Sequence, residues 1–280
     1  GLEFTVTEQD SKTVFTVQPP SYRFDLEIEE DLIEEVARLY GFENIPDVPP
    51  SAELKMSAPL ESKRIVHAVR HRLAAEGYQE VVNFGFIDRQ TEAQMGQPNP
   101  IEVLNPIASQ YGVMRSNLWG GLLHNLRSNL NRGASRARLF EIGRVFKRDP
   151  KQTDQPGALA GFIQNKQLGG LAYGFANPEQ WASNNQLVDF FDVKGDLQRA
   201  LNPLQITTKA SATPHPALHP GRSAEIYLAN AAIGWIGELH PALQQTYELA
   251  SAPVLFEIHW DAVTEIGLPR PYEISKFPAV

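Results

Sequence analysis

Hydrophobic and polar positions alternate with a period of two over the first stretch of the chain. EFTV and KTVFTV read as two strands joined by a turn at EQDS. PPSYRFDLEI follows, and Phe24, Leu26 and Ile28 keep an extended, strand-like alternation behind two prolines. The period then changes. In DLIEEVARLYG, Leu32, Val36 and Leu39 fall on one helical face, with Gly41 as a C-terminal cap. A second amphipathic helix is predicted over 60–76, with Ile65, Val66, Val69 and Leu73 as its stripe and Gly77 as its stop. YQEVVNFGFI reads as a strand, NPIEVLNPI holds a short one, and residues 118–131 read as a helix. ARLFEIGRVFK is predicted to be a long strand. It puts Leu139 and Val145 on one face and Phe140, Ile142 and Phe146 on the other.

Further strands are expected at 157–164, 171–175, 205–209, 223–229, 232–237 and 253–260. The pair EIYL and AIGWIG reads as a hairpin, and helices are expected at 188–201 and 241–249. Hairpins and helices in this order predict an α+β fold, an antiparallel sheet flanked by helices. The proline-rich stretch IPDVPPSAE reads as a linker. It divides the chain into 1–48, a linker at 49–57, and a core over 58–280.

Composition narrows the function classes. The absence of cysteine removes disulfides and thiolate chemistry and suits an intracellular setting. No apolar run approaches the ~20 residues of a membrane helix. The chain begins at Gly1 with no signal-peptide pattern, and reads as a piece of a longer protein. A net charge of −8 argues against a large basic nucleic-acid face. Arginines and lysines do gather over 127–148, where a solvated strand and loop edge accounts for them. Glycine-rich dinucleotide and phosphate-loop motifs and the serine nucleophile elbow are missing. His67 and His71 have zinc-compatible spacing but no acid between them and no third ligand, and read as ordinary surface or interface histidines. His215 and His219 lie among prolines in a rigid loop, and Trp235 reads as a core aromatic.

The acids are most concentrated over 25–35, where seven of eleven residues are Asp or Glu. Two readings stand side by side. Asp31 as N-cap with Glu34 three residues on is a capping-box-like pattern, and acids in a first turn suit the helix dipole. Positions 31, 34 and 35 also share one helical face, so their carboxylates could converge on a hard cation with Asp25 approaching from the preceding segment.

SYRFDLEIEEDLIEEVARLYGFENIP resembles the end of the helix-turn-helix-like domain of bacterial phenylalanyl–tRNA synthetase β subunits. Pro20, Ser21, Arg23, Asp25, Asp31, Leu32, Glu34, Glu35, Arg38, Tyr40 and Gly41 match that family's pattern. VLNPIASQYGVMRSNLWGGLLHNLRSNLNRG, RLFEIGRVF and GELHPALQQ are similar to its synthetase-like core. FPAV at the end stands where the family continues toward a ferredoxin-like, anticodon-binding domain. The resemblance implies a partial winged-helix or helix-turn-helix-like domain ahead of a class II aminoacyl-tRNA synthetase-like core. It implies a cytoplasmic ligase that joins phenylalanine to tRNA(Phe) using ATP, with a catalytic α subunit in an (αβ)₂ assembly. It further implies Mg²⁺, shared with the α subunit and held by Asp25, Asp31, Glu34 and Glu35. The editing residues of the family lie outside this stretch.

The core is expected to be noncatalytic. Where the catalytic subunit carries Arg-Thr-His-Thr, this chain has Arg115, Ser116, Asn117 and Leu118. At the third class II motif, small residues and a cation are replaced by Glu257, His259 and Trp260, and a carboxylate there would repel a triphosphate. The alternatives are a stand-alone class II ligase, which rests on shared fold alone, and a nucleic-acid-binding module. The second is opposed by the acids Asp31, Glu34 and Glu35 on the helix, so no DNA contact is expected.

Overall fold

The computed structural model describes residues 2–9, 11–56, 66–96, 99–151, 160–182 and 185–264. The chain divides into two compact units, Gly1–Ala58 and Pro59–Val280.

In the first unit β1 (Glu3–Gln9) and β2 (Lys12–Gln18) form an antiparallel hairpin, with Ser11 at φ 62° in its turn. The stretch predicted to continue as a strand is instead a succession of turns. Arg23 N–H bonds to Pro20 O and Leu26 N–H to Arg23 O, and Leu26 alone of the three alternating residues is buried. The paired prolines supply no N–H for a ladder, which disfavours a strand there. Helix α1 spans Glu29–Tyr40 and stops at Gly41, at φ 95°. No residue of α1 is buried within this unit. Among the described residues this unit contains one α-helix, short of the two that a helix-turn-helix needs.

In the second unit α2 (Val66–Ala75) leads to β3 (Gln79–Glu80), β4 (Phe86–Ile87) and α3 (Arg89–Met95). Then come β5 (Val113–Met114), α4 (Trp119–Asn131), β6 (Ala137–Arg148), β7 (Phe162–Tyr173) and α5 (Phe190–Leu201). The last elements are β8 (Lys209–Ala212), β9 (Leu218–Leu228), β10 (Ala231–Leu239), α6 (Pro241–Thr246), β11 (Val254–His259) and α7 (Trp260–Thr264). Seven strands build the main sheet in the order β3-β6-β7-β11-β10-β9-β8. The fold is α+β as expected, but the sheet is mixed: β3 runs parallel to β6, and every other pairing is antiparallel. Two predicted strands are shorter than expected. YQEVVNFGFI forms only the short β3 and β4, and NPIEVLNPI contributes a single bridge at Glu102. Conversely, residues 162–173 form one continuous strand. The predicted residues 60–65 of the second helix, part of the 157–164 strand and FPAV lie outside the described residues.

The two faces of β6 fall as the alternation predicts. Phe140 and Ile142 face α2, α5 and α7, packing with Val69, Leu73, Val193, Leu197, Trp260 and Val263. Leu139 and Val145 face α4, packing with Leu118, Trp119, Leu122 and Leu126. This second face carries a polar row. Register aligns Glu141 with Gly169, Gly169 with Glu257, and Glu257 with Trp235 across four neighbouring strands.

Two candidate functional sites

The acidic residues of the first unit are held by α1 and the turns before it. Asp31 is the third residue of α1, not its N-cap. Its Oδ2 accepts the Ile28 N–H at 2.9 Å and the Glu27 N–H at 2.8 Å, which is half of a capping box. Those two amide bonds hold its carboxyl below the usual carboxylate range. Ile28 has no acceptor with which to return the bond.

Asp25 and Glu35 converge on Arg23. The guanidinium donates to Asp25 through Nε at 3.0 Å and Nη2 at 2.7 Å, and to Glu35 Oε1 through Nη2 at 2.8 Å. Arg38 donates to the other Glu35 oxygen at 2.8 Å. Arg23, then Arg38, hold the Glu35 carboxyl down at about 2, and Arg23 lowers Asp25. The Arg23 guanidinium is shifted upward by the same two acids. Thus the turn at 20–26 brings Asp25 to Glu35 across ten residues of sequence, with an arginine between them. Asp31 is near enough to feel the charge of Asp25, whereas Glu34 makes no ion pair among the described residues.

This arrangement bears on magnesium. Four carboxylates are hard oxygen donors of the type Mg²⁺ takes. The arrangement, however, does not gather them. Arg23 is the cation between Asp25 and Glu35, and Asp31 spends an oxygen on the backbone. No three His, Cys, Asp or Glu side chains are grouped to hold a metal ion among the described residues.

The second site lies at the start of α4, over the polar row of the sheet. Arg115 and Glu141 form a buried pair at 2.8 Å, with both side chains at most 5% exposed. Arg115 Nε donates to Arg144 O at 3.0 Å, and Asn83 donates to the second Glu141 oxygen at 2.8 Å. Glu257 reaches the helix start, where it accepts the Leu118 N–H at 2.6 Å. Burial pushes its carboxyl up to about 7, while Leu118, Lys147 and Arg115 oppose the rise. The residue keeps partial contact with water, which tempers that rise. Glu92, on α3, accepts the Ser116 N–H at 3.2 Å. Asn117 caps the helix through bonds from Trp119 and Gly120 N–H.

The remaining residues singled out in the sequence fall near this face or behind it. His259 bonds Gln167 at 2.9 Å, and Trp260 is buried on the opposite side of the sheet. Trp235 is only partly buried and packs on His215, which also meets Trp119, with ring centroids 4.9 and 5.2 Å apart. His67 and His71 line a 450 Å³ cleft with Arg70 and Glu80, and Arg70 is neutralised by Glu80 at 2.8 Å. The basic stretch 127–148 is not uniformly solvated. Arg138 is buried against Asp196 and donates to Ala176 O at 2.8 Å, while Tyr78 donates to Asp196 at 2.9 Å. Sequence reasoning missed this buried group, although an arginine among LFEI and AR in a predicted core strand was the available signal.

Four large apolar side chains of the second unit are exposed. Val82, Phe84, Leu104 and Ile107 are 67–97% exposed, and Phe84 packs edge-on to Tyr111 at 5.2 Å.

The family model for the phenylalanyl tRNA synthetase beta chain CLM domain matches residues 45–260, and that for the tRNA synthetase B5 domain matches residues 1–42. The phenylalanine–tRNA ligase beta subunits of Ralstonia nicotianae and Burkholderia pseudomallei are each 55% identical to this chain over its whole length. That of Bordetella pertussis is 50% identical, again over the whole chain. The chain spans 34% of the length of each of these relatives. A solved pyrrolysyl tRNA synthetase of Desulfitobacterium hafniense superposes with a TM-score of 0.53 at 13% identity, over 85% of this chain and 73% of its own. That likeness concerns the fold, and it is the fold of a tRNA synthetase. With one family model matching most of its length, the chain belongs to the phenylalanyl-tRNA synthetase β-chain family.

Proposed function

We propose that this chain is part of the β subunit of a phenylalanine–tRNA ligase, and that its work is assembly with the catalytic α subunit in an (αβ)₂ enzyme that charges tRNA(Phe) using ATP. The observation that carries the reading is the exposure of four large apolar side chains, Val82, Phe84, Leu104 and Ile107. Large apolar side chains left exposed on a folded unit support a protein contact, and the beta-subunit names of the relatives supply the partner. The first unit is then the tail of the accessory domain and the second is a class II-type core. That core is noncatalytic. Glu257 sits on the α4 start, where negative charge opposes a triphosphate, and Trp260 is taken up by the hydrophobic core.

The test is complex formation. Mixing the chain with the α subunit is expected to give a stable assembly, and Phe84→Asp combined with Ile107→Asp is expected to abolish it while leaving the chain folded. A complex that tolerates both charges would sink this interface. Phenylalanine-dependent pyrophosphate exchange by the chain without α would overturn the noncatalytic reading.

Mg²⁺ belongs to the same proposal. Asp25, Asp31, Glu34 and Glu35 would hold it in the assembled enzyme, where it would supply a hard divalent charge shared with the α subunit. Arg23 is then the standing counter-ion of Asp25 and Glu35 when α is absent. Calorimetry is expected to detect no Mg²⁺ binding to the isolated chain and measurable binding to the Arg23→Gln variant. Equal binding by both would remove Arg23 from this role.

A further inference from the structure

Spacing alone leaves His67 and His71 as ordinary surface histidines, but the fold gives them a common setting. Both belong to α2, whose Val69 and Leu73 are buried in the core. That packing holds the helix, and residues four apart on a helix stand about 5–6 Å apart at Cβ, one above the other. Both histidines are exposed, and both line the same 450 Å³ cleft.

The chain has seven histidines, and five of them are already engaged. His215, His219 and His240 each accept a backbone N–H through Nδ1. His259 bonds Gln167, and His124 faces Asp88 at 4.0 Å. His67 and His71 are the two that make no hydrogen bond or ion pair among the described residues. A neutral imidazole has one N–H and one lone pair, so each ring keeps its lone pair for a ligand bond. The cations beside them on the helix are tied off. Glu80 accepts from Arg70 at 2.8 Å, and Glu76 pairs with Arg72 at 2.7 Å. A metal ion in the cleft therefore meets charge-balanced neighbours and not free guanidinium groups.

We propose that His67 and His71 form a chelating site on α2 for a late first-row divalent cation, Ni²⁺ or Zn²⁺. Imidazole nitrogen suits these ions, whereas Mg²⁺ takes oxygen. No third His, Cys, Asp or Glu joins the pair among the described residues, so water takes the remaining positions. The site stands on the second unit alone and is independent of assembly with α and of the acids on α1.

The experiment is calorimetric titration of the 280-residue chain with Ni²⁺ and with Zn²⁺, in excess Mg²⁺ that occupies the carboxylates. One tight site per chain is expected. His67→Gln and His71→Gln are each expected to weaken it by about a hundredfold, because either change leaves a single ligand and removes the chelate. His219→Gln is expected to bind as the parent does. Both α2 positions are exposed, so the variants are expected to melt with the parent when metal is withheld. With Ni²⁺ at about ten times its Kd, the folding equilibrium constant of the parent should rise about elevenfold, and that of the double variant should not. The proposal is overturned if the parent binds neither ion, if Mg²⁺ displaces them, or if the double variant binds as tightly as the parent. It is equally overturned if each single variant merely halves the binding capacity, which is the behaviour of two independent histidines, or if His219→Gln loses as much as either.

Discussion

Arg23 is paired with two carboxylates and Arg115 with one, and the two arginines occupy opposite electrostatic settings. Arg23, Asp25 and Glu35 have side chains 21–51% exposed, and the guanidinium lies within hydrogen-bond distance of both carboxylates. Water and salt weaken these pairs, so their geometry can be rearranged at little cost. Arg115 and Glu141 lie under α4 with side chains at most 5% exposed. There the same ions have lost their water, and each is held in place by what replaces it. Ion pairing in the first unit therefore leaves room for exchange of the cation, whereas in the second it fixes where strands and helices sit.

The sharpest way to break this contrast is to remove one partner of a buried pair. Asp196, on α5, accepts from Arg138 and from Tyr78, and its loss strands the Arg138 charge inside. Asp196→Ala is expected to destabilise the second unit by about 3–5 kcal/mol, measured by urea denaturation near neutral pH. A loss below about 1 kcal/mol, the range of exposed pairs, would erase the distinction between the two regions.

Glu257 gives a smaller effect with a definite sign. Its folded-state pKa, about 7, lies above its ordinary value of 4.5. The folded chain thus holds the proton more tightly than the unfolded one. The associated stability is complete below pH 4.5 and is lost as pH rises through about 7. Its upper bound is about 3 kcal/mol, from 1.36 kcal/mol per pKa unit, and solvent contact reduces it. The parent is expected to lose stability between pH 5 and 8 relative to Glu257→Gln, as read from paired denaturation curves. Parallel pH profiles would place Glu257 in a watery setting like that of Asp25.

What the sequence reveals follows the range of the interactions. The two faces of β6 were readable because alternation is local: Leu139 and Phe140 announce opposite sides. So was α5, where Asp189 caps the helix at Phe191 and Asp192. The parallel placement of β3 beside β6 was not readable, since Gln79 and Leu139 are joined only by the fold. Asp31 was placed one turn too early because Glu29 and Glu30 are as compatible with a helix as with the segment before it. Family matching named Asp25 and Glu35 as neighbours of interest. Arg23, although part of the same pattern, acquired its place between them only when the 20–26 turn folded back.

The smallest stability effect is expected at Arg23, where the contrast is read better from a titration than from a melt. Glu35 is held at about 2 chiefly by Arg23 and secondarily by Arg38. Replacing Arg23 by Gln removes the first cation and leaves the second. The Glu35 carboxyl is then expected to titrate closer to its ordinary 4.5, followed by side-chain NMR, with little change in the melting of the second unit. Because the folded-state value is depressed, the stability this carboxylate supplies is present above pH 4.5 and lost as pH falls toward 2. The variant should therefore show a weaker acid dependence in the first unit than the parent. If Glu35 still titrates near 2 without Arg23, then Arg38 sets its charge state, and the cation between Asp25 and Glu35 is dispensable to it.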